Sequence, residues 1–401
     1  MSAVNPRSFG RRDALKWGLG GLGAVIVGPV VLAACGDDSG SGAGAADTAV
    51  ATPPSTAATK AAASGDLQSV ITAAQQDGKI NLIALPDDWA NYKGVLAGFK
   101  QTYDIDFNVA NPDGSSADEI TAVKNLKGQS TQPDAIDVGP SFAIDAAKAG
   151  LLAPYQVSLW DEIPDNMKDP DGNWIGAYYG VISFGVNEKN AGGKPTSFAE
   201  LNDPKYKGKV ALNGDPRKAN AAFSGVWAAS IANGGSLDDI SPGIDYFAKL
   251  KDAGILIPVD VTPANILNGQ VAIAIDWSYN FPAVASKLQD SGVTLDSVVP
   301  SDGVYGGFYS QAAVAGSPNP DAAKLWLEWL VSDEGALQYL EGGAFPARYS
   351  KLVEAGKVPA DVAAKLPDAS VMAKVQFATD EQLEKAKATI ASDWGPKVAG
   401  N

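Results

Sequence analysis

The segment YYGVISFGVN, Tyr178–Asn187, decides the fold of this chain. Its β-branched and aromatic residues predict an extended strand. Upstream, from Lys79 to Gly150, short apolar runs that predict strands alternate with stretches of helical spacing. The segment interrupts this alternation, and a second series begins at Lys209 and leads to a second extended segment, Tyr305–Ala315. Alternating strands and helices predict an α/β fold with parallel sheets.

Two α/β series joined by two extended crossings predict two lobes, each a sheet flanked by helices. The first lobe would combine residues 66–187 with residues 304–401, and the second would be an insertion, residues 188–303. The two crossover strands would form a hinge, and the cleft between the lobes would close around a ligand. Late in the first lobe, Asp321–Leu340 has the spacing of one long amphipathic helix.

Residues 1–34 have the three parts of a secretory signal. A basic start precedes an apolar run, residues 17–31, which ends at Leu32-Ala33-Ala34-Cys35. These last four residues resemble the bacterial lipobox, so we expect cleavage before Cys35, the only cysteine of the sequence, and a lipid on its thiol. A transmembrane anchor is the alternative, but the apolar run is shorter than the roughly 20 residues that a spanning helix needs.

The export route and the tether follow from the neighbouring residues. Arg11–Lys16 resembles the twin-arginine export signal, with Ala14 where that signal usually has Phe, and a general secretory signal is the alternative. Residues 35–65 are rich in Gly, Ala, Ser, Thr and Pro, which predicts a flexible tether. We therefore predict an extracytoplasmic lipoprotein that is anchored to the cell membrane through Cys35.

Charge and composition exclude several classes of protein. The formal net charge of −15 predicts no binding to nucleic acid. The sequence has no histidine, which excludes His-based catalytic triads and His-ligated zinc. It also lacks nucleophile-elbow, P-loop and Cys-x-x-Cys motifs, so we predict neither an enzyme nor a cofactor or metal site. A lipid-anchored hydrolase and a sensor are the alternatives to a binding protein, and we expect a monomer.

Several stretches of the chain resemble one protein family. The main ones are Lys79–Leu85 with the following Asp88–Tyr92, Gln132–Gly139 with the following Ala149–Pro154, Leu201–Leu212 and Leu267–Trp277. In this order they resemble the extracellular solute-binding proteins of ABC importers, in the group with the type II periplasmic binding fold that binds polyamines, ferric iron, thiamine or phosphonates. The resemblance implies a receptor that captures a small solute between two lobes and delivers it to a membrane permease.

Ligand sites in open α/β sheets lie beyond the carboxyl ends of the strands. This rule and the two crossings nominate Asp88, Trp89, Ser115, Ser116, Ser141, Phe142, Tyr178, Tyr179, Arg217, Asp276, Trp277, Tyr279, Tyr305 and Phe308. Aromatic faces together with carboxylates suit a desolvated ammonium group, so the sequence predicts a polyamine-like or other organic amine as the ligand. We expect Trp89 and Trp277 to lie on facing walls of the cleft.

An anionic solute such as a phosphonate is the alternative ligand. The three nominated serines stand before predicted helices, whose N-termini attract anions, and Arg217 would clamp a phosphonate or a carboxylate. Ferric-binding relatives carry adjacent tyrosines where this chain has Tyr279-Asn280, so the resemblance argues against iron. Polyamine-binding relatives carry an acid where this chain has Phe308-Tyr309-Ser310-Gln311, so the choice between amine and anion stays open.

Overall fold

The β-strands form two groups around one long strand that both groups share. In chain order the strands are β1 (Thr59–Lys60), β2 (Lys79–Ile83), β3 (Asp106–Ala110), β4 (Ala135–Val138), β5 (Tyr155–Gln156), β6 (Ile175–Asn187), β7 (Val210–Leu212), β8 (Ile273–Trp277), β9 (Leu295–Val298), β10 (Gly306–Ala313) and β11 (Phe345–Pro346). The shared strand is β6, which contains the segment that the sequence singled out.

Helices flank both groups of strands. They are α1 (Gly65–Asp77), α2 (Tyr92–Tyr103), α3 (Ser116–Asn125), α4 (Pro140–Lys148), α5 (Glu188–Ala191), α6 (Asn220–Ala232), α7 (Ser241–Asp252), α8 (Pro263–Leu267), α9 (Asn280–Leu288), α10 (Pro320–Val331), α11 (Asp333–Glu341), α12 (Tyr349–Glu354), α13 (Ala360–Ala363), α14 (Ala369–Met372) and α15 (Asp380–Trp394). Short 3₁₀ turns cover Trp160–Glu162, Asp165–Met167, Glu200–Asn202, Pro204–Tyr206 and Gln289–Ser291, and a π-helical turn, Gly395–Ala399, follows α15.

The computed structural model describes residues 59–60, 65–364, 366–367, 369–372 and 374–400. The predicted signal peptide, the lipidation site Cys35 and most of the predicted tether lie outside these residues. Within the predicted bounds of the tether, β1 pairs in parallel with β5. Across the described residues, every helix is too short or too polar to span a membrane.

The first half of β6 belongs to a group with β4 and β10. β10 lies antiparallel between these two strands, with Gly306 opposite Val181 and Ser310 opposite Val138. β2 and β3 form a parallel pair. The backbone N–H of Asp134 donates to the carbonyl of Asn81 at 2.8 Å, which places β2 beside the start of β4.

The second half of β6 lies between β8 and β9, with Phe184 opposite both Ile275 and Val298. β7 pairs in parallel with β8. The parallel pairing that the sequence predicts is therefore found in β2–β3 and β7–β8, where helices return the chain to the same edge. β6, β9 and β10 run antiparallel to their neighbours, so the group that contains β7 and β8 is a mixed sheet, whereas β4, β10 and the first half of β6 are antiparallel throughout.

The prediction of a single helix over Asp321–Leu340 is wrong in one respect, because the structure divides this stretch into two helices at Ser332. The backbone of Ser332 is extended (φ −61°, ψ 164°), and its Oγ accepts a hydrogen bond from the N–H of Gly335 at 3.0 Å. This side chain caps the start of α11. A Cβ on Gly335 would lie 2.0 Å from the carbonyl oxygen of Trp329, so the bend also depends on the glycine. Local capping therefore overrides the amphipathic spacing.

Gly185 lets an aromatic ring of α9 pack directly on β6. A Cβ at this position would lie 2.1 Å from Cε1 of Phe281. We expect Gly185→Ala to lower the free energy of unfolding by about 1–3 kcal/mol, the usual cost of overpacking a core. Urea denaturation measures this loss. The double variant Gly185→Ala/Phe281→Leu should recover part of it, and a single variant as stable as the parent protein would contradict this packing.

Candidate functional site

A cavity of about 620 Å³ lies beyond the ends of the strands in both groups. Its first wall is formed by the loops that follow β2 and β3, by the middle of β4 and by β10. Its second wall is formed by the loop after β7, by the start of α6, by α8 and by the segment from β8 to α9. Ala84, Pro86, Asp88, Trp89, Pro112, Asp113, Gly114, Ser115, Ser116, Glu119, Asp137, Asn213, Gly214, Ala219, Asn220, Ala221, Asp260, Val261, Thr262, Pro263, Ile266, Asp276, Asn280, Phe281, Val284 and Tyr309 line it.

The charge of this cavity wall has one sign. The acidic lining residues are Asp88, Asp113, Glu119, Asp137, Asp260 and Asp276, and none of the described lining residues is Lys or Arg. Acids are contributed by both walls. Buried carboxylates need a counter-charge or a hydrogen-bond donor.

Asp137 is the most unusual of these acids. Only 4% of its surface is exposed. Its Oδ2 accepts hydrogen bonds from the hydroxyl of Tyr92 at 2.7 Å and from the hydroxyl of Tyr178 at 2.9 Å, whereas its buried Oδ1 has no partner. Burial raises the pKa of Asp137 to about 7, although the two hydroxyl groups and the nearby side-chain amide of Gln311 oppose the shift.

Glu119 lies directly against Asp137. The backbone N–H of Asp137 donates to Oε2 of Glu119 at 2.9 Å. Burial, and secondly the nearby Asp137 carboxylate, raise the pKa of Glu119 well above its usual value. These two acids therefore share a buried region of the first wall that holds protons more strongly than an exposed pair of carboxylates would.

Asp276 is the buried acid of the second wall. Its Oδ1 accepts from the backbone N–H of Trp277 at 2.7 Å, and its Oδ2 accepts from Nδ2 of Asn280 at 2.9 Å. Burial raises the pKa of Asp276 to about 6. The Oδ1 atom of Asn280 is buried without a hydrogen-bond partner. The second wall thus also presents an unpaired acceptor beside a carboxylate.

Aromatic rings form the floor between the two walls. The indole N–H of Trp89 donates to the hydroxyl of Tyr178 at 2.7 Å. The ring of Trp89 meets the rings of Tyr279 and Tyr309 edge to face, with centroids 5.7 Å and 5.5 Å apart. Tyr178 and Tyr309 stack with centroids 5.7 Å apart. Trp89 and Tyr309 line the cavity, so its floor consists of packed aromatic rings.

Comparison with known proteins identifies the class of this site. The profile of the family described as bacterial extracellular solute-binding protein matches residues 131–385. The chain belongs to this family. Two curated relatives of the solute-binding protein are an uncharacterised protein of Haemophilus influenzae, 28% identical over 59% of this chain and 68% of the relative, and iron uptake protein A2 of Synechocystis, 24% identical over 57% of this chain and 68% of the relative.

Solved structures share the fold of the solute-binding protein. AfuA from Actinobacillus pleuropneumoniae, with fructose-6-phosphate bound, aligns over 80% of this chain and 99% of its own with a TM-score of 0.65 at 19% identity. Iron-bound HitA from Pseudomonas aeruginosa gives 0.60 at 19% identity over 79% and 99%. A putative spermidine/putrescine transporter from Listeria monocytogenes gives 0.58 at 13% identity over 79% and 99%.

The family establishes the general role of the protein. It has the two-lobe type II periplasmic binding fold, with β6 as a strand shared by the two sheets. It is the solute-binding component of an ABC importer, acts outside the cytoplasm and has no enzymatic role. The solutes named for the three solved structures differ, being fructose-6-phosphate, iron and spermidine or putrescine.

The structure places the predicted site residues in three positions. Those in the cavity wall are Asp88, Trp89, Ser115, Ser116 and Asp276. Directly behind the wall are Tyr178, Trp277 and Tyr279, which belong to the aromatic cluster and are at most 1% exposed. Trp277 stacks on Tyr279 with centroids 6.1 Å apart, so Trp89 faces that tyrosine and not Trp277.

The remaining predicted residues lie away from the cavity lining. Tyr179 stacks on Phe345, Tyr305 on Trp227 and Phe308 on Trp174, while Phe142 lies under the ammonium of Lys387 and the carbonyl of Ser141 accepts from the same lysine. Arg217 forms hydrogen bonds through Nε and Nη2 to the carboxylate of Asp215. Successive strand residues point to opposite faces, which is why Tyr178 and Tyr309 face the site and Tyr179 and Phe308 do not.

Several lining residues were not predicted, and one signal in the sequence would have found Asp137. Asp137 interrupts the buried apolar run Ala135–Val138 in the same way that Asp276, which was predicted, interrupts the buried run of β8. A carboxylate in an otherwise apolar, fully buried strand needs a partner, and that partner can be a ligand. Glu119 and Asn280 gave no such signal, because both stand in ordinary helical positions.

An ion pair joins an acid of the cavity lining to α9. Nζ of Lys287 on α9 contacts Oδ2 of Asp88 in the loop after β2. Both side chains are partly exposed, at 52% and 37%. Exposed pairs of this kind contribute little free energy, so the contact is a weak link between the two walls.

Proposed function

We propose that this solute-binding protein captures a small organic amine in the cavity and passes it to its membrane permease. The observation that supports the proposal is the pair of unpaired buried acceptors, Oδ1 of Asp137 on the first wall and Oδ1 of Asn280 on the second. Both stand among carboxylates, in a wall whose described residues include no Lys or Arg. An ammonium group supplies both the charge and the N–H donors that these atoms lack.

The aromatic floor and the cavity size agree with the same class of solute. Trp89 and Tyr309 present ring surfaces beside the acids, and aromatic rings attract desolvated cations. A cavity of about 620 Å³ is within the usual range of small-molecule sites. A chain with one or two ammonium groups and an apolar middle therefore suits the site better than a bare inorganic ion.

The solutes named for two similar structures suit this cavity less well. HitA was solved with iron, whereas this chain has Asn280 after Tyr279 where the resemblance to ferric-binding relatives calls for a second tyrosine, and no group of three or more Asp, Glu, Cys or His among the described residues is arranged to hold a metal ion. AfuA was solved with fructose-6-phosphate, whose phosphate would meet a wall of acids. The side chain that would clamp a phosphate in our sequence prediction, Arg217, is bound to Asp215 instead.

An anionic solute is the second candidate, and one observation favours it. The N-cap residue of α6, Ala219, makes no side-chain hydrogen bond, and the first turn of this helix lines the cavity. Uncapped helix N-termini attract anions. The N-terminus of α3 is different, because the carboxylate of Asp118 accepts from both the N–H and the Oγ of Ser115. A zwitterion with its carboxylate at α6 would combine both candidates.

We also propose the arrangement that delivers the solute. The lobes would comprise residues 66–187 with 304–401 and residues 188–303, and the protein would act as a monomer held to the membrane by the lipid on Cys35. The crossing segments meet where the N–H of Ile182 donates to the carbonyl of Tyr305 at 3.0 Å, which supports a hinge at this point. Closure would draw its free energy from contacts that the solute makes only when both walls are near.

A thermal-shift screen of the purified protein tests the proposed solute class. We expect putrescine, spermidine and 4-aminobutyrate to include a ligand that raises the melting temperature, and fructose-6-phosphate, phosphonates and ferric ion to have no effect. Stabilisation should follow RT ln(1 + [L]/Kd), about 2.7 kcal/mol at a hundred times Kd. A shift with anions or ferric ion alone would reject the amine proposal, and sodium chloride at matched ionic strength is the control.

A further inference from the structure

We infer that Asp137 is the residue that selects for positive charge in the solute, and that Tyr92 and Tyr178 position its carboxylate. This inference rests on the proposed amine function. The sequence did not nominate Asp137, and its role depends on three features of its surroundings: the direction of its hydrogen bonds, its burial and its position on the cavity wall.

A chain of buried hydrogen bonds fixes the Asp137 carboxylate from two sides. On one side, Trp89 donates to Tyr178, which donates to Oδ2 of Asp137. On the other side, Nε2 of Gln311 donates to the hydroxyl of Tyr92 at 2.8 Å, and Tyr92 donates to the same Oδ2. Because both hydroxyl groups point to one oxygen, the side chain is held in a single orientation and Oδ1 is left for another donor.

The other buried acids of the cavity are already engaged in a different way. Both oxygens of Asp276 accept from the protein. Oε2 of Glu119 accepts from the backbone of Asp137. Asp88, which is more exposed, is paired with Lys287. Asp137 is therefore the cavity acid that combines deep burial with an unpaired oxygen. An N–H of the solute that donates to this oxygen would remove the free-energy penalty of leaving it buried without a partner.

The groups around Asp137 explain how its charge would respond to a solute. The titratable groups that face it are Tyr92 of α2, Glu119 of α3, Tyr178 of β6, Tyr279 after β8, Tyr309 of β10 and Tyr339 of α11. None of them carries positive charge, and burial raises the pKa of Asp137 to about 7. Near neutral pH the carboxyl is partly protonated, so a cation that binds it displaces a proton.

The sign of the pH dependence follows from this exchange. Below pH 7 the solute has to displace a proton from Asp137, so affinity should weaken as the pH falls from about 8 to 5.5. Above pH 8 the carboxylate is already ionised and the affinity should level off. The Tyr92 hydroxyl stabilises the ionised form, so Tyr92→Phe should raise the pKa of Asp137 and move the midpoint of the affinity profile to higher pH.

Isothermal titration of the purified protein with the best amine from the screen tests the inference. At pH 7 we expect Asp137→Asn to weaken binding about 30- to 100-fold, in the range of a lost charged hydrogen bond. Asp106→Asn should leave the affinity within about twofold, because that carboxylate is 75% exposed and lies outside the cavity lining. Titrations in buffers of different ionisation enthalpy should show proton release by the parent protein near pH 6.5 and clearly less by Asp137→Asn, in which Glu119 and Asp276 are the remaining buried acids of the cavity.

Each outcome decides the inference. If the parent protein binds an amine and Asp137→Asn binds it within threefold, with the same proton release, the inference is wrong while the proposed function stands. If the parent protein binds no amine, the proposed function is wrong and the inference falls with it. If Asp137→Asn does not fold, Tyr92→Phe decides. A shift of its affinity midpoint to higher pH supports the positioning role, and an unchanged midpoint overturns it.

Discussion

The free energy of unfolding of the unliganded protein should receive a falling contribution from its buried acids as the pH rises from about 4 to 8. The pKa of Asp137 is raised to about 7 and that of Asp276 to about 6, from an ordinary value of 3.8. The native state therefore holds protons that the unfolded chain has released, and its stability from these groups is present at low pH and lost as the pH rises. The loss amounts to about 4 kcal/mol for Asp137 and about 3 kcal/mol for Asp276.

The difference between the parent protein and Asp137→Asn isolates this effect. Other carboxylates, such as Asp118 and Asp215, have lowered pKa values and act in the opposite direction, but they are common to both proteins. In urea denaturation at pH 4.5 and pH 8, the variant should gain stability relative to the parent by several kcal/mol at the higher pH. Parallel pH profiles for the two proteins would mean that Asp137 titrates normally.

Replacing Asp134 by Ala should lower the free energy of unfolding by about 3–5 kcal/mol. The Asp134 side chain is fully buried. Its carboxylate accepts from the N–H of Asn81 at 2.6 Å, from the N–H of Asn319 at 2.8 Å and from Nδ2 of Asn319 at 2.9 Å. It thereby joins β2 to the start of α10, and its removal leaves two buried backbone N–H groups without an acceptor.

Two further variants separate this role from a general loss of charge. Asp134→Asn keeps an acceptor oxygen and should lose less stability than Asp134→Ala. Asp106→Ala removes an acid whose side chain is 75% exposed and paired with Lys100, so it should change stability by less than about 0.5 kcal/mol. The measurement is urea denaturation at pH 7. Equal losses in the free energy of unfolding for Asp134→Ala and Asp106→Ala would contradict the role of Asp134 in joining β2 to α10.

Much of the fold could be predicted because its signals are local. The buried run at β2, the extended segment at β6 and the serine before α3 each depend on neighbouring residues, and each was assigned to the right kind of element. The rule that ligand sites lie at the ends of strands is also local. It nominated Asp88 and Asp276, and both line the cavity. The division of α10 from α11 was missed because a serine cap competes with the amphipathic pattern.

The rest of the site depends on contacts that the sequence does not show. The pairing of β10 with β6 decides which side of β10 faces the cavity, and the sequence does not show this pairing. The sequence nominated Phe308, whereas the structure places its neighbour Tyr309 at the wall. Tyr92 reaches Asp137 from a helix 45 positions earlier. A lone acid in a buried strand reads equally well as a structural residue or as a ligand group until its hydrogen bonds are known.

A crystal structure of the protein with its best amine tests the central claim most directly. We predict that the solute lies between the two walls, with an ammonium nitrogen within hydrogen-bond distance of Oδ1 of Asp137 and its carbon chain against Trp89. A solute bound elsewhere, or an anionic solute held at the N-terminus of α6 with Asp137 untouched, would contradict the account.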